Sequence, residues 1–518
     1  MSRIKKLIAL GVTVLLLVLL FVSYLRSAAY RDSFDRREVM IAGSMPAQVY
    51  LPEAQGAPIV IVAHGFTADK EMMQSLAYSL VRDGLAVVTF DFRGHGQNTT
   101  NFDHNRLQED MKEVVDFAKN LNEKMPATFF GSFKQVDTTR IALMGHSMGG
   151  GAVVTYGAHD PDIDATVPIS GVSARVTEDL PRNLFIIYAE KDPADLHQAA
   201  QQMLKASAGE VENLAPNTTY GSFADGSARR LSMVKGTDHL TILFSMDAHR
   251  QMLDWLHQVW GLPPRTGEVS DPRLARMGQM YIVSLLLFFC CCYGMAWYFP
   301  TIPKRTGREI MLNLVFLAIV CFITLFVIRL APPLSFLPMP VGDYLVSYFF
   351  VVGIIYCLVA SRRGNIDLVD FFPSPGKTIF AAFVLFLLVY LTFGTITTDV
   401  WYRQLFTGQR LLWALVLLPL LLPFFIGFEA SFKRGSTLVA LVGSLIGILI
   451  VLGMIRLGVG LRLTDDFVML IIIPMMIYNI IFQLFSIYVY RLSRNYFLTA
   501  LFHAMIMAWQ YAILFPIS

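Results

Sequence analysis

Gly145-His146-Ser147-Met148-Gly149 is the stretch whose residue types point most directly to chemistry. A serine with a glycine two residues away on either side suits a sharp turn from strand to helix. The glycines let backbone approach closely, and the serine hydroxyl is left exposed. Gly and Ser each make up about 7% of residues, so about one chain in six of this size carries the pattern by chance. Here it follows a strand-like run, residues 141–144, and precedes a helix-like one. A serine hydroxyl becomes a nucleophile only beside a base, and that base needs a carboxylate to fix its tautomer and favour the imidazolium.

The elements that must hold such groups alternate along residues 30–264. Short β-rich runs at 58–63, 85–90, 141–144, 165–170, 184–188 and 230–234 are separated by amphipathic helical ones. That alternation predicts an α/β class domain, a mostly parallel sheet with helices on both faces. Only a short connection fits between residues 170 and 184, so no large lid is expected there. Residues 217–232 suggest a hairpin, either a specificity element beside the site or a plain surface one.

Four segments then carry a family resemblance. The run ending in His64-Gly65-Phe66, the loop Asp91-Phe92-Arg93-Gly94-His95-Gly96, the G-x-S-x-G turn and the Gly236-Thr237-Asp238-His239 loop resemble the α/β-hydrolase superfamily over about 230 residues. The resemblance implies Ser147 as nucleophile, with Gly145, His146 and Gly149 forming its elbow. It implies backbone N–H groups of Phe66 and Met148 as the oxyanion hole. It implies Asp192, in Glu190-Lys191-Asp192-Pro193, as the acid, with Glu190 and Asp195 as alternatives, since a carboxylate there also suits a helix N-cap. It implies His239 as general base; His249 and His257 lie within the last helix of the segment. The loop around His95 is expected to be structural.

The rest of the chain excludes a purely soluble protein. Of its 518 residues 55% are hydrophobic and 16% charged, and the net charge of +3 with no basic arm gives no case for a nucleic-acid partner. Residues 7–25 form an apolar run after Arg3, Lys5 and Lys6, long enough to span a bilayer and read as an uncleaved signal anchor within residues 1–29. After a linker at 265–277, residues 278–518 read as an all-α polytopic transmembrane domain of about eight helices. These spans are expected near 278–299, 309–330, 342–360, 378–397, 411–429, 437–458, 467–489 and 496–515. With the N-terminus cytoplasmic, the inner segments hold Lys304, Arg305, Arg308, Arg362, Arg363, Lys377, Lys433, Arg434, Arg491 and Arg494, whereas the outer loops keep Arg403, Arg410 and Arg462. By the positive-inside rule the 30–264 domain is then extracytoplasmic, in a multi-pass protein of the cell membrane. All five cysteines fall in the apolar runs, where buried packing is their ordinary role.

An ionisable residue inside a span marks a functional hypothesis. Glu429 and His503 are the two, and their segments resemble worn copies of motifs in the CPBP intramembrane proteases, relatives of the CAAX prenyl endopeptidases. That family pairs Glu-Glu-x-x-x-Arg with His-bearing helices. Here Phe428 replaces the first Glu, Lys433 stands for Arg, and the middle His motif is missing. Glu429 and Lys433 also suit a simple i,i+4 pair near the inner surface.

The sequence therefore predicts a membrane-bound serine hydrolase acting on an ester or thioester, of a lipid or other acylated substrate, with no cofactor and no metal. Peptide cleavage by the same residues is one alternative. A transporter or receptor with a hydrolase-like binding domain is another, though binding alone does not call for Ser, His and Asp together.

Overall fold

The computed structural model describes residues 3–125, 135–209, 215–263, 269–296, 298–299, 310–367, 374–433, 435–464 and 468–518. Lys304, Arg305, Arg308 and Arg434 of the charge pattern lie outside the described residues, as do residues 264–268 of the expected linker. The chain forms two compact units. One comprises Tyr24–Gly278 with Thr397–Arg403 and Pro516–Ser518; the other comprises Met1–Ser23, Gln279–Ile396 and Gln404–Phe515.

The first unit begins with the end of helix α1 (Arg3–Arg31) and is built on nine strands: β1 (Asp35–Ile41), β2 (Met45–Leu51), β3 (Ala57–Ala63), β4 (Ala86–Phe90), β5 (Val136–His146), β6 (Ala165–Ile169), β7 (Leu184–Ala189), β8 (Thr219–Tyr220) and β9 (Arg229–Val234). Their order is β1-β2-β4-β3-β5-β6-β7-β9-β8. The six strands from β4 to β9 in that order are parallel, and β1/β2, β2/β4 and β8/β9 are antiparallel. The hairpin expected at 217–232 is the β8/β9 pair at one end of the sheet.

Every residue of β3 is buried. Ile59, Ile61 and Ala63 join a core with Met111, Val114 and Val115 of α3 (Leu107–Lys119). Val60 and Val62, on the other face, are equally covered, which is why the strand reads as a continuous apolar run rather than an alternating one. α2 (Gln74–Arg82) packs on β2 and β4; the short α4 (Leu121–Lys124) packs on β5; α5 (Met148–Gly157) on β5 and β6; α6 (Ala194–Ser207) on β7 and β9; and α7 (Met246–Trp260) on β6 and β7. This is the α/β-hydrolase fold, with a mixed sheet.

The helices beyond it are α8 (Pro272–Met295), α9 (Ile310–Leu330), α10 (Gly342–Arg362), α11 (Pro375–Val389), α12 (Thr395–Val400), α13 (Gly408–Phe432), α14 (Thr437–Gly460), α15 (Val468–Ser493) and α16 (Tyr496–Leu514). α11 and α12 are joined by one wider helical turn, Tyr390–Gly394. In the second unit α13 packs against α10 and α16, and Leu417, Leu421, Phe425 and Phe428 share a core with Ala504 and Ala508. Among the described residues nine helices are long and apolar enough to cross a membrane, α11 and α12 counting as one. On α1 the side chains of Leu7, Leu15 and Phe21 are exposed, the arrangement expected of a helix whose solvent is lipid.

Candidate active site

Ser147 stands between β5 and α5 with φ +53° and ψ −116°, a conformation that costs a non-glycine residue about 1–3 kcal/mol. The neighbouring glycines make the turn possible. A Cβ on Gly149 would lie 2.5 Å from the carbonyl oxygen of His64 and 2.6 Å from that of Ala63, so α5 passes against the end of β3 only because that side chain is missing. Gly145 is closed in the same way by the backbone of Gly149. Met148 opens α5, so its N–H has no partner within the helix.

The serine hydroxyl meets an imidazole carried on a loop three strands along the sheet. His239, on the loop after β9, holds Nε2 3.0 Å from Ser147 Oγ. Its Nδ1 is 2.7 Å from Oδ1 of Asp192, on the loop after β7. With a carboxylate at Nδ1 the proton sits there, and Nε2 is left to accept from the hydroxyl. The Asp192 side chain is fully buried. Burial alone would raise its carboxyl pKa, but hydrogen bonds from His239 and Ser170 outweigh that and hold it below the usual value. Ser170 Oγ donates to Oδ2 at 2.5 Å and the Ala189 N–H at 2.8 Å, so both lone-pair sides of the carboxylate are engaged.

Three supporting contacts carry no sequence motif. Ser170 is one. Glu190 is not at the base; its Oε2 accepts from the Gly236 N–H at 2.8 Å and braces the loop that leads to His239. Asp195 lies in the first turn of α6. His146 is buried, and burial first, then the charge of His239, push its pKa down to about 3. It is therefore neutral, and its Nε2–H donates to the His239 carbonyl at 2.7 Å, tying the His239 loop to the Ser147 turn. Sequence reading placed His146 in the elbow without this second task, which only the folded register reveals.

The Phe66 turn is fixed by similar means. His64 is buried with its pKa lowered by that burial; its Nδ1–H donates to the Gly65 carbonyl at 2.7 Å and Nε2 accepts from the Phe92 N–H at 3.0 Å. The 91–96 loop is a scaffold: Asp91 accepts from Lys70 Nζ at 2.9 Å and from the Gln97 N–H at 2.9 Å, and Arg93 pairs with Asp110. The His95 ring rests against Phe66 and Phe102, with centroids 5.6 and 5.1 Å away.

In the helical unit Glu429 and His503 meet as well, with His503 Nδ1 3.4 Å from Glu429 Oε1. The carboxylate also receives Ser486 Oγ at 2.7 Å and Gln483 Nε2 at 3.2 Å, and Lys433 Nζ lies 3.5 Å away. All of these side chains are buried, and the Glu429–Lys433 i,i+4 pair is part of a cluster joining α13, α15 and α16. Phe428 is buried among Phe424 and Phe432. Glu429→Leu would strand Lys433 without its counter-charge and is expected to lower stability by about 3–5 kcal/mol. Unfolding of the detergent-solubilised protein checks this, and adding Lys433→Met should recover most of the loss; a neutral single change would show that the pair does not clasp the helices.

Residues 54–184 match the family described as serine aminopeptidase, S33 (Hydrolase_4). The matched stretch contains Ser147 and ends before Asp192 and His239. Among curated proteins the chain is similar to a monoacylglycerol lipase of Mycolicibacterium smegmatis, 32% identical over 24% of this chain and 40% of that protein. It is similar to the quorum-quenching protein AidA of Acinetobacter baumannii, 27% identical over 26% of this chain and 41% of that protein. Cutinase 2 of Thermobifida cellulosilytica is 26% identical over 21% of this chain and 38% of its own. The chain thus spans between about a third and two-fifths of the length of the curated relatives it matches.

Proposed function

We propose that the chain is a membrane-bound serine hydrolase that cleaves an ester or thioester of a lipid or other acylated substrate. The hydrogen-bonded line from Asp192 through His239 to Ser147 carries this reading. Ser147 attacks the acyl carbonyl as His239 takes its proton, and the imidazolium is stabilised by Asp192. The Phe66 and Met148 N–H groups receive the oxyanion. His239 then protonates the leaving group, and water, deprotonated by the same ring, releases the acyl group from Ser147.

Two relatives are named lipase and cutinase, which favours an ester. The matched family is described as an aminopeptidase, which favours the peptide alternative. The full chain in nanodiscs, assayed on ester and aminoacyl-amide substrates side by side, separates them: the ester should be turned over with much the larger kcat/KM. Faster amide cleavage would move the proposal to a peptidase.

The nine apolar helices support a multi-pass membrane protein. The positive-inside pattern supports a cytoplasmic N-terminus and an extracytoplasmic hydrolase domain. We read the Glu429–His503 cluster as a buried clasp between helices, because the carboxylate already has Lys433, Gln483 and Ser486 as partners.

A further inference from the structure

The unit that carries Ser147 includes seven residues from far along the chain, Thr397–Arg403. They are pinned at both ends. The Asp399 carboxylate accepts from Ser27 Oγ at 2.5 Å and pairs with Arg31, and its carbonyl accepts from Arg273 Nη1 at 3.2 Å. At the other end the Arg403 N–H donates to buried Asp69 Oδ2 at 2.9 Å, and its guanidinium is 3.6 Å from buried Glu71.

Between those anchors Trp401 packs edge-on to Phe244, with centroids 5.8 Å apart and rings at 86°. Phe244 closes the short turn Thr241–Phe244 that follows His239. Asp69 lies three residues beyond Phe66. One segment therefore touches the base-bearing loop through Trp401 and the oxyanion turn through Arg403, two residues that about 7 Å of chain connects. It reaches the segments that follow His239 and Phe66 in the chain. Trp401 is only partly buried, and it follows directly on Val400, the last residue of the candidate span Pro375–Val400. Tryptophan at a span end has an apolar body that suits lipid and an N–H that suits the headgroup level.

We infer that Trp401 is the specificity-determining residue of this site: with Phe244 it forms an apolar rim for the acyl chain of a bilayer-resident ester, whose carbonyl is thereby brought to Ser147 from the headgroup level. The inference rests on the reading of Ser147, His239 and Asp192 as the catalytic residues. It narrows the substrate class from esters in general to membrane lipid esters.

The test uses the full chain in phosphatidylcholine vesicles with two probes, a fluorogenic dioleoylglycerol held in the bilayer and water-soluble p-nitrophenyl butyrate. Trp401→Ala should lower the ratio of kcat/KM for the bilayer ester to that for the soluble ester by about tenfold, mostly through KM, since loss of apolar contact to a substrate lowers discrimination by about tenfold or more. Trp401→Phe should restore much of the ratio. Phe244→Ala, which removes the other ring of the pair, should lower it severalfold and keeps the question open to test where Trp401→Ala does not fold. An unchanged ratio in the folded variants, or equal losses on both probes, overturns the inference. If the wild-type protein cleaves neither probe and Ser147 takes no fluorophosphonate label, the hydrolase reading itself has failed instead.

Discussion

Ser147→Ala should lower kcat by about a millionfold while leaving the fold intact, because in the proposed mechanism the three residues act as one device and removing the nucleophile idles the other two. What survives is the contribution of the oxyanion donors and of binding, a residual rate still about 10³–10⁴ above water. The change is small in volume. Alanine keeps the Cβ that already fits the positive-φ turn, so circular dichroism and the unfolding midpoint should stay close to the wild type. Fluorophosphonate labelling must vanish with turnover. Retention of more than about one part in a thousand of kcat, far above what an idle triad leaves, would mean that another group supplies the nucleophile, and the proposed mechanism would be discarded.

The place of each catalytic candidate was legible for a reason that lies in the backbone. A parallel strand buried on both faces announces itself as an apolar run, and its C-terminal end is where the chain must turn. Ser147 follows β5, Asp192 follows β7 and His239 follows β9, so three residues with 45 or more positions between them arrive at one sheet edge. Ser170 and the carbonyl clasp from His146 were not legible, because a hydroxyl at a strand end and a buried imidazole make no pattern until register places them beside Asp192 and His239.

The outlying segments hid for a different reason. Asp271 and Arg273 read as part of a polar linker, yet they pair at 2.7 Å, and the Arg273 guanidinium lies 4.1 Å from the Tyr78 ring centroid. Polarity marks a surface only when charges lack partners, and here each brings its own. The same holds for Thr397–Arg403, whose two charges are met by Arg31 and Glu71. Pro516–Ser518 has no charged side chain, but the Ile517 N–H donates to the Gly94 carbonyl and its own carbonyl accepts from the Phe102 N–H, at 2.9 and 2.7 Å. Backbone pairing of this kind leaves no trace in side-chain composition.

Asp192→Asn is the second large effect expected, about 10⁴-fold in kcat, and the hydrogen bonds around the carboxylate determine why. Oδ2 accepts from the Ala189 N–H, a donor that cannot turn, and from Ser170 Oγ. An asparagine must therefore keep its carbonyl oxygen at that position and place its NH₂ against His239 Nδ1. The ring then has to accept at Nδ1 and carry its proton on Nε2, where it faces Ser147 and cannot take the hydroxyl proton. Ser170→Ala removes one donor but leaves the Ala189 N–H and the correct tautomer, so a loss of only about ten- to a hundredfold is expected, the scale of one charge-assisted hydrogen bond at about 1.5–3 kcal/mol. The two variants together separate tautomer control from simple stabilisation of charge. If Asp192→Asn cost only a few-fold while Glu190→Gln abolished turnover, the acid would be Glu190, and its bond to Gly236 would have to be exchanged for one to His239 during the reaction.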